Sequence, residues 1–219
     1  MFDIDKTLGV LWDLDGVIVD SGEAHFSSWQ KAMSRHGMSL TREFFQETFG
    51  MNNKGILSLV LKRDATEEEV DIIGGLKEEL FRREIRGSLE PLPGVIDWLE
   101  RFNRAGFRQA VASSAPQQNI NAVIDGLGLR NSFQALISGS ELSGKPDPAT
   151  FQLAARHLDI KPAHCLVIED ARVGVEAALR GGMKCIAVCT THSRDELSDA
   201  DIVVNRLEDL IPQQVNELF

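Results

Sequence analysis

The sequence predicts an α/β fold: a mostly parallel β-sheet covered by helices on both faces, with an all-helical block inserted near the N-terminus. Three observations carry that expectation. From Pro91 onward, short apolar runs alternate with segments of helical periodicity, the pattern of βαβ units. Residues 21–90 hold no strand-like run, and their apolar residues recur at helical spacing. Ahead of that block, an apolar run at 8–12 ends in Asp13-Leu14-Asp15-Gly16, a strand followed by a sharp turn.

The elements follow in order. Residues 8–12 read as a buried strand. Side chains alternate along a strand, so Asp13 and Asp15 leave its C-terminal end on the same side, and Gly16 lets the backbone bend there. Carboxyl ends of parallel strands are where open α/β sheets bind ligands. A second Asp-x-Asp lies upstream at Asp3 and Asp5, but only Met1 and Phe2 precede it. With no strand to aim its carboxylates, it reads as a polar lead-in. Phe26, Trp29 and Met33 mark a helix closed by Gly37. Phe44, Phe45 and Phe49 follow, then Ile56, Leu57, Val60 and Leu61. A charged helix over 66–86 carries Val70, Ile73, Leu76, Leu80 and Phe81 on one face, with Thr66 and Glu69 spaced as a capping box.

After Pro91, strands are expected at 107–112, 135–138, 165–169, 184–189 and 202–204. The helix over 94–105 buries Val95, Leu99 and Phe102 and stops at Gly106. Pro148 suits the first turn of the next helix, with Asp147 as its cap and Phe151, Ala155 and Leu158 inward. Gly181 and Gly182 end the helix after Asp170. The expected division is residues 1–20 and 91–219 as the α/β core and 21–90 as a helical cap above the carboxyl ends of the strands.

Composition narrows the function. The 219 residues carry 33 acidic and 23 basic side chains, a formal net charge of −10, so a basic nucleic-acid footprint is absent. An anionic substrate would meet an unfavourable global field, and any phosphate site has to be locally positive, which directs attention to Lys145. No apolar stretch approaches the roughly 20 residues of a membrane helix, and no secretory signal is visible. Cys165, Cys185 and Cys189 lie in apolar, strand-like runs without zinc spacing and read as buried free thiols in a reducing, cytoplasmic compartment. The stretch Gly139 to Lys145 matches Gly-x4-Gly-Lys of a nucleotide-binding loop, but Pro146 stands where that loop needs a hydroxyl for its metal. A nucleotide-binding loop is therefore rejected.

Four elements occur in order: Asp13-Leu14-Asp15-Gly16-Val17; Ser113-Ser114 after a strand; Gly144-Lys145-Pro146-Asp147-Pro148; and Glu169-Asp170 after a strand, followed by Gly174. Together they resemble the haloacid dehalogenase-like superfamily of phosphotransferases, along the whole chain. The resemblance implies a Rossmann-like core with an inserted α-helical cap and an aspartyl-phosphate mechanism. Asp13 would be the nucleophile, and Asp15 the acid and base. Ser113 and Ser114 would bind the phosphoryl group, and Lys145 would neutralise Asp13 and the phosphoryl oxygens. Mg²⁺ would be held by Asp13, the Asp15 carbonyl and Asp170, with Glu169 in or near the ligand set. Four convergent carboxylates call for a cation, and hard oxygen ligands with a phosphate substrate suit Mg²⁺.

The helical insertion is similar to the cap of the subclass containing β-phosphoglucomutase and many small-metabolite phosphatases. Asp20-Ser21-Gly22-Glu23-Ala24-His25-Phe26 with Trp29 resembles the mutase segment at the cap hinge. His25 would correspond to its hinge histidine and Lys77 to its cap lysine, both toward substrate; the plain alternative for each is a surface-facing helix residue. The mutase carries an arginine for a second phosphate where this chain has Asn53, beside Lys54. Asparagine cannot supply bidentate phosphate recognition. The sequence therefore points to a phosphatase of small phosphorylated metabolites, with sugar phosphates the expected class and a mutase as the alternative. A catalytically inactive binding protein should have lost the nucleophile, the acid/base or the lysine, and none is lost.

Overall fold

A computed structural model describes residues 7–87 and 89–219 of the chain; the upstream pair Asp3 and Asp5 lies outside the described residues. Strand β1 (Gly9–Trp12) is buried along its length. It is flanked by β2 (Arg108–Ser113) and β4 (Cys165–Glu169), and the sheet continues outward through β3 (Ala135–Ser138), β5 (Lys184–Val188) and β6 (Ile202–Val204). The order is β3-β2-β1-β4-β5-β6, and every pairing is parallel. Burial on both faces explains why these strands are apolar runs instead of alternating ones.

Alternation within the strands sorts the core into two layers. Val10, Trp12, Leu166 and Ile168 pack on one face with Val95 and Phe102 of α6 (Val95–Arg104) and Ile120 of α7 (Gln117–Gly126). Leu11, Ala110 and Val167 pack on the other face with Phe151 and Ala155 of α8 (Ala149–His157) and Val175 and Ala178 of α9 (Arg172–Arg180). A short C-terminal helix, α10 (Pro212–Asn216), adds Val215 to the first layer. Trp12 and Trp98, both buried, donate their indole N–H to Gln109 Oε1 at 3.0 Å and the Leu207 carbonyl at 2.8 Å, so neither leaves an unpaired donor in the core.

Between β1 and β2 lie α1 (Gly22–Arg35), α2 (Arg42–Thr48), α3 (Asn53–Leu61), α4 (Glu67–Glu69) and α5 (Gly75–Glu84). Phe26, Trp29, Met33, Phe45, Leu57 and Ile73 give this helical cap a core of its own. Phe81 and Ile85, at the end of α5 and just beyond it, join the sheet's core with Val17 and Ile18 instead, so the cap is anchored as well as tethered. The two chain crossings run side by side: Val19 bridges Pro91, and the Leu92 N–H donates to the Ile18 carbonyl at 2.8 Å.

Two local expectations need adjustment. The helix expected over 66–86 starts with the Thr66–Glu69 capping box but contains a π-helical segment, Val70–Gly74. There the backbone of Gly74 passes so close to Asn53 that a Cβ would lie 3.1 Å from its Nδ2. Pro148 precedes the first turn of α8 instead of entering it, and the Asp147 carboxylate accepts from the Ala149 N–H at 2.9 Å. The three cysteines are free; Cys165 and Cys185 are buried and Cys189 half-buried. Among the described residues, no helix is long and apolar enough to cross a membrane.

Candidate active site

The order of the sheet reverses its chain direction between β1 and β4, and a parallel sheet opens a crevice at that point above its strand ends. Asp13 leaves β1 there, its N–H still bonded to the Ile168 carbonyl at 3.0 Å. Ser113 ends β2, Glu169 ends β4 with Asp170 next, and Lys145 arrives from the loop after β3. Topology alone thus gathers residues far apart in sequence.

Lys145 is 2% exposed. Its ammonium donates to Asp13 Oδ1 at 2.6 Å and, in a short contact, to Glu169 Oε1. Burial disfavours its charge, yet Asp13 and Glu169 outweigh burial and hold its pKa above the ordinary lysine value. Glu169 is fully committed, because its other oxygen accepts the N–H groups of Asp170 and Ala171, each at 2.8 Å. Gly174 makes room for it: a Cβ there would sit 1.8 Å from Glu169 Oε1.

The four expected carboxylates therefore separate into roles. Glu169 fixes the lysine with one oxygen and two backbone amides with the other. Asp15 turns toward the cap, where its Oδ1 accepts from the Ser21 hydroxyl at 2.5 Å and pairs with His25 Nε2 at 3.0 Å. Burial would raise its pKa, but His25, Ser21 and Lys77 prevail and hold the carboxyl below its usual range. Asp13 and Asp170 remain. Burial pushes Asp13 up to about 7, with Glu169 and Asp15 working against the pull of Lys145. Burial lifts Asp170 well above the carboxylate range, and Glu169 and Asp13 add to it. Thr191 donates to Asp170 Oδ2 at 2.6 Å, while Oδ1 is buried with no hydrogen-bond partner. Gly16, with φ +83, makes the turn past this carboxylate, where a Cβ would lie 1.9 Å from Oδ2.

Two buried carboxylates that disfavour each other's charge, one with an orphaned oxygen, fit a divalent cation. Among the described residues, no group of three or more His, Cys, Asp or Glu side chains is gathered as a ready metal cage. Mg²⁺ needs no such cage, since it commonly uses one or two carboxylates together with waters and substrate phosphate.

Above the strand ends is a cavity of about 50 Å³ lined by Asp13, Asp15, Ser113 and Ser114 below and by His25, Asn53 and apolar cap residues above. It has room for a few waters, less than the several hundred Å³ of a metabolite pocket, so cap and core stand close together over the site. Polar contacts join the two. The Ser114 hydroxyl donates to the Gly50 carbonyl at 2.8 Å, and Asn52 Nδ2 donates to the Leu142 carbonyl at 3.3 Å, over Gly144.

Other expected residues are brought close in different ways. The Ser113 hydroxyl accepts from the Ala115 N–H at 3.1 Å and does not cap α7. His25 is 7% exposed and stacks on Phe81 with centroids 3.9 Å apart, so it is no surface residue; its partner is Asp15. Lys77 is also buried, but its ammonium pairs with Glu78 at 2.9 Å and it does not line the cavity. Lys54 is exposed and outside the cavity wall. Sequence reasoning passed over Ser21, Glu78, Asn119 and Thr191. Ser21 lay within the quoted hinge segment and Glu78 next to Lys77; the other two are reached only by folding.

A family model described as haloacid dehalogenase-like hydrolase matches residues 10–188, a span that contains every site residue above except Thr191. The chain belongs to the haloacid dehalogenase-like hydrolase family. Its relatives in that family include β-phosphoglucomutase of Bacillus subtilis, 30% identical over 218 residues, covering 95% of this chain and 93% of that protein. Hexitol phosphatase A of Escherichia coli is 30% identical over 207 residues, covering 92% of each. The chain also matches the chloroplastic 5-amino-6-(5-phospho-D-ribitylamino)uracil phosphatase of Arabidopsis thaliana, 29% identical over 206 residues, but spans only 55% of its length. Among solved structures, β-phosphoglucomutase from Clostridium difficile superposes with a TM-score of 0.86 at 24% identity over 97% of both chains, a likeness of fold.

Proposed function

We propose that this protein is a Mg²⁺-dependent phosphatase that hydrolyses a small phosphorylated metabolite, a sugar phosphate, through an aspartyl-phosphate on Asp13. In this reading residues 1–20 and 91–219 form the phosphotransfer core and 21–90 the cap. The observation that carries it is the pairing of Asp13 with the buried Lys145 at 2.6 Å at the floor of a cavity that Asp15 also lines. The ion pair aims the free oxygen of Asp13 at phosphorus and keeps a positive charge where phosphoryl charge develops.

Asp13 attacks phosphorus, the bond to the leaving oxygen breaks, and Asp15 gives that oxygen its proton. Ser21 and His25 both bind Oδ1 of Asp15, leaving Oδ2 to carry the proton, which this low-pKa carboxyl takes up when the negative phosphoryl group of the substrate comes beside it. After the alcohol departs, Asp15 takes a proton from water as the water attacks phosphorus, and phosphate is released from Asp13. The Ser113 hydroxyl and the Ser114 N–H hold the phosphoryl oxygens; the Ser114 hydroxyl is engaged by the cap. The side chains of Asp13 and Asp170 with the Asp15 carbonyl would hold Mg²⁺, which when bound supplies positive charge to the phosphoryl oxygens.

Hydrolysis is favoured over mutase chemistry because, among the described residues, no Lys or Arg lines the cavity and Asn53 does. The test is product analysis. Phosphate release from sugar monophosphates should need Mg²⁺ and be lost in Asp13→Asn. With β-glucose 1-phosphate and a trace of its 1,6-bisphosphate, glucose 6-phosphate forming faster than free phosphate would replace this reading with the mutase.

A further inference from the structure

The cap buries an acid that the chemistry above does not use. Glu78, on α5, is 5% exposed. Its Oε1 accepts from Lys77 Nζ and from Asn53 Nδ2, both at 2.9 Å. Its Oε2 makes a short contact with Asn119 Nδ2 on α7 of the core, and Arg82 donates to Asn119 Oδ1 at 2.7 Å. The buried ammonium of Lys77 is therefore matched by a carboxylate, and Asn53 is turned with its amide nitrogen toward that carboxylate. Burial would raise the pKa of Glu78, but Lys77 and His25 with these hydrogen bonds hold it below the ordinary value, so the acid stays charged.

The cavity sees the consequence. Its cap wall consists of Trp29, Phe45, Phe49, Met51 and Ile56 with the neutral amide of Asn53 and with His25, whose Nε2 is already bound to Asp15. We propose that Glu78 sets the substrate class: by neutralising Lys77 and holding Asn53, it makes the cap accept phosphate monoesters with an uncharged leaving group, such as a polyol or sugar, and reject those carrying a second anionic group. A carboxylate or second phosphate entering here would lose its water without gaining a Lys or Arg, since Lys77 is paired with Glu78, and His25 on the wall is already paired with Asp15. A polyol would lay its carbons on the aromatic wall and offer a hydroxyl to Asn53. This inference rests on the phosphatase reading and adds its specificity.

Sorbitol 6-phosphate and 6-phosphogluconate share a six-carbon chain and differ only in a terminal hydroxymethyl or carboxylate, so they isolate the charge. In the wild-type enzyme with Mg²⁺, kcat/KM should favour sorbitol 6-phosphate by at least about tenfold, the scale of an unpaired charged group. Glu78→Gln, which frees Lys77 at nearly constant shape, should narrow that ratio about tenfold by lowering KM for the carboxylate-bearing ester. Calorimetric titration of Asp13→Asn, with its cap intact, should show the same preference in binding, and keeps the question open to test if Glu78→Gln does not fold. Equal use of the two compounds by the wild type, or a folded Glu78→Gln with an unchanged ratio, would overturn the proposal. p-Nitrophenyl phosphate separates the two failures: if it is hydrolysed while the ratio is wrong, only the role of Glu78 falls. If no phosphate is released from any of the three compounds, the phosphatase reading falls and takes this inference with it.

Discussion

Replacing Gly174 by alanine tests the site through an unusual sign. Gly174 lies in the first turn of α9 without a positive φ, and glycine in a helix is ordinarily worse than alanine by about 1 kcal/mol. Taken alone, Gly174→Ala should stabilise. The new methyl, however, would fall 1.8, 2.0 and 2.5 Å from Oε1, Cδ and Oε2 of Glu169, so the whole carboxylate has to leave. It then gives up two amide hydrogen bonds and its contact with Lys145. Hydrogen bonds to a charged group contribute about 1.5–3 kcal/mol each, so losing the two amide bonds costs roughly 3–6 kcal/mol. Set against the helix gain, the net is a destabilisation of about 2–5 kcal/mol. For a chain of this size, 1 kcal/mol moves Tm by about 2–4 °C, and a fall of roughly 4–20 °C is expected. Phosphatase activity should drop with it, because Lys145 loses its second partner. Gly75→Ala is the control: it is also helical, and a Cβ there meets nothing within 4 Å, so its Tm should hold or rise slightly. If Gly174→Ala melts at or above the parent and remains fully active, the Glu169 clamp on Lys145 is wrong.

Two further outcomes are expected. Mg²⁺ should stabilise the folded state by mass action, by about 2.7 kcal/mol at a hundredfold excess over Kd, and so raise Tm; Asp170→Ala, which removes the orphaned oxygen, should abolish most of that shift in a thermal-melt titration, and excess chelator should stop turnover. The acid limb of stability should depend on Glu78, whose folded pKa lies below the ordinary glutamate value of 4.5. Its stabilisation is complete above that value and is lost as pH falls through the still lower folded pKa. The groups facing it are Lys77, His25, Asn53 and Asn119, with Arg82 one contact away. Denaturant titrations from pH 6 to 3 should show a shallower acid loss in Glu78→Gln than in the parent.

The strands were legible because a two-sided parallel sheet writes itself as short apolar runs; those expected at 135–138, 165–169 and 202–204 have the observed bounds. The helix stops at Gly37, Gly106 and Gly182 were legible for a different reason, since each has the positive φ that glycine supplies cheaply. Asp13 could be picked out as a candidate because it ends an apolar run, and Ser113, Lys145 and Asp170 because their motifs resemble those of the haloacid dehalogenase-like family. Pairings across sequence could not. Nothing near Glu169 says that it will clamp a lysine from another loop, or that Gly174 exists to admit it. Nothing near Lys77 says that its neighbour Glu78 will neutralise it and reach a core asparagine. Local pattern predicts where an element lies, whereas these roles depend on which elements become neighbours.

Placing β1 at the centre of the sheet has a consequence for how the molecule is made. Gly9 pairs with Arg108 on one side and with Cys165 on the other, so β1 leaves the ribosome well before either of its partners. Until β2 and then β4 are synthesised, both of its ladder edges are open, and open apolar edges invite pairing with other chains. The cap, with a core of its own, is completed in that interval and can collapse first. Such long-range pairing predicts slow folding. It also means that Asp13 and Asp15, just beyond β1, stand without Lys145, Glu169 or Asp170 until the second half of the chain docks, so a nascent or truncated chain holds only part of the site.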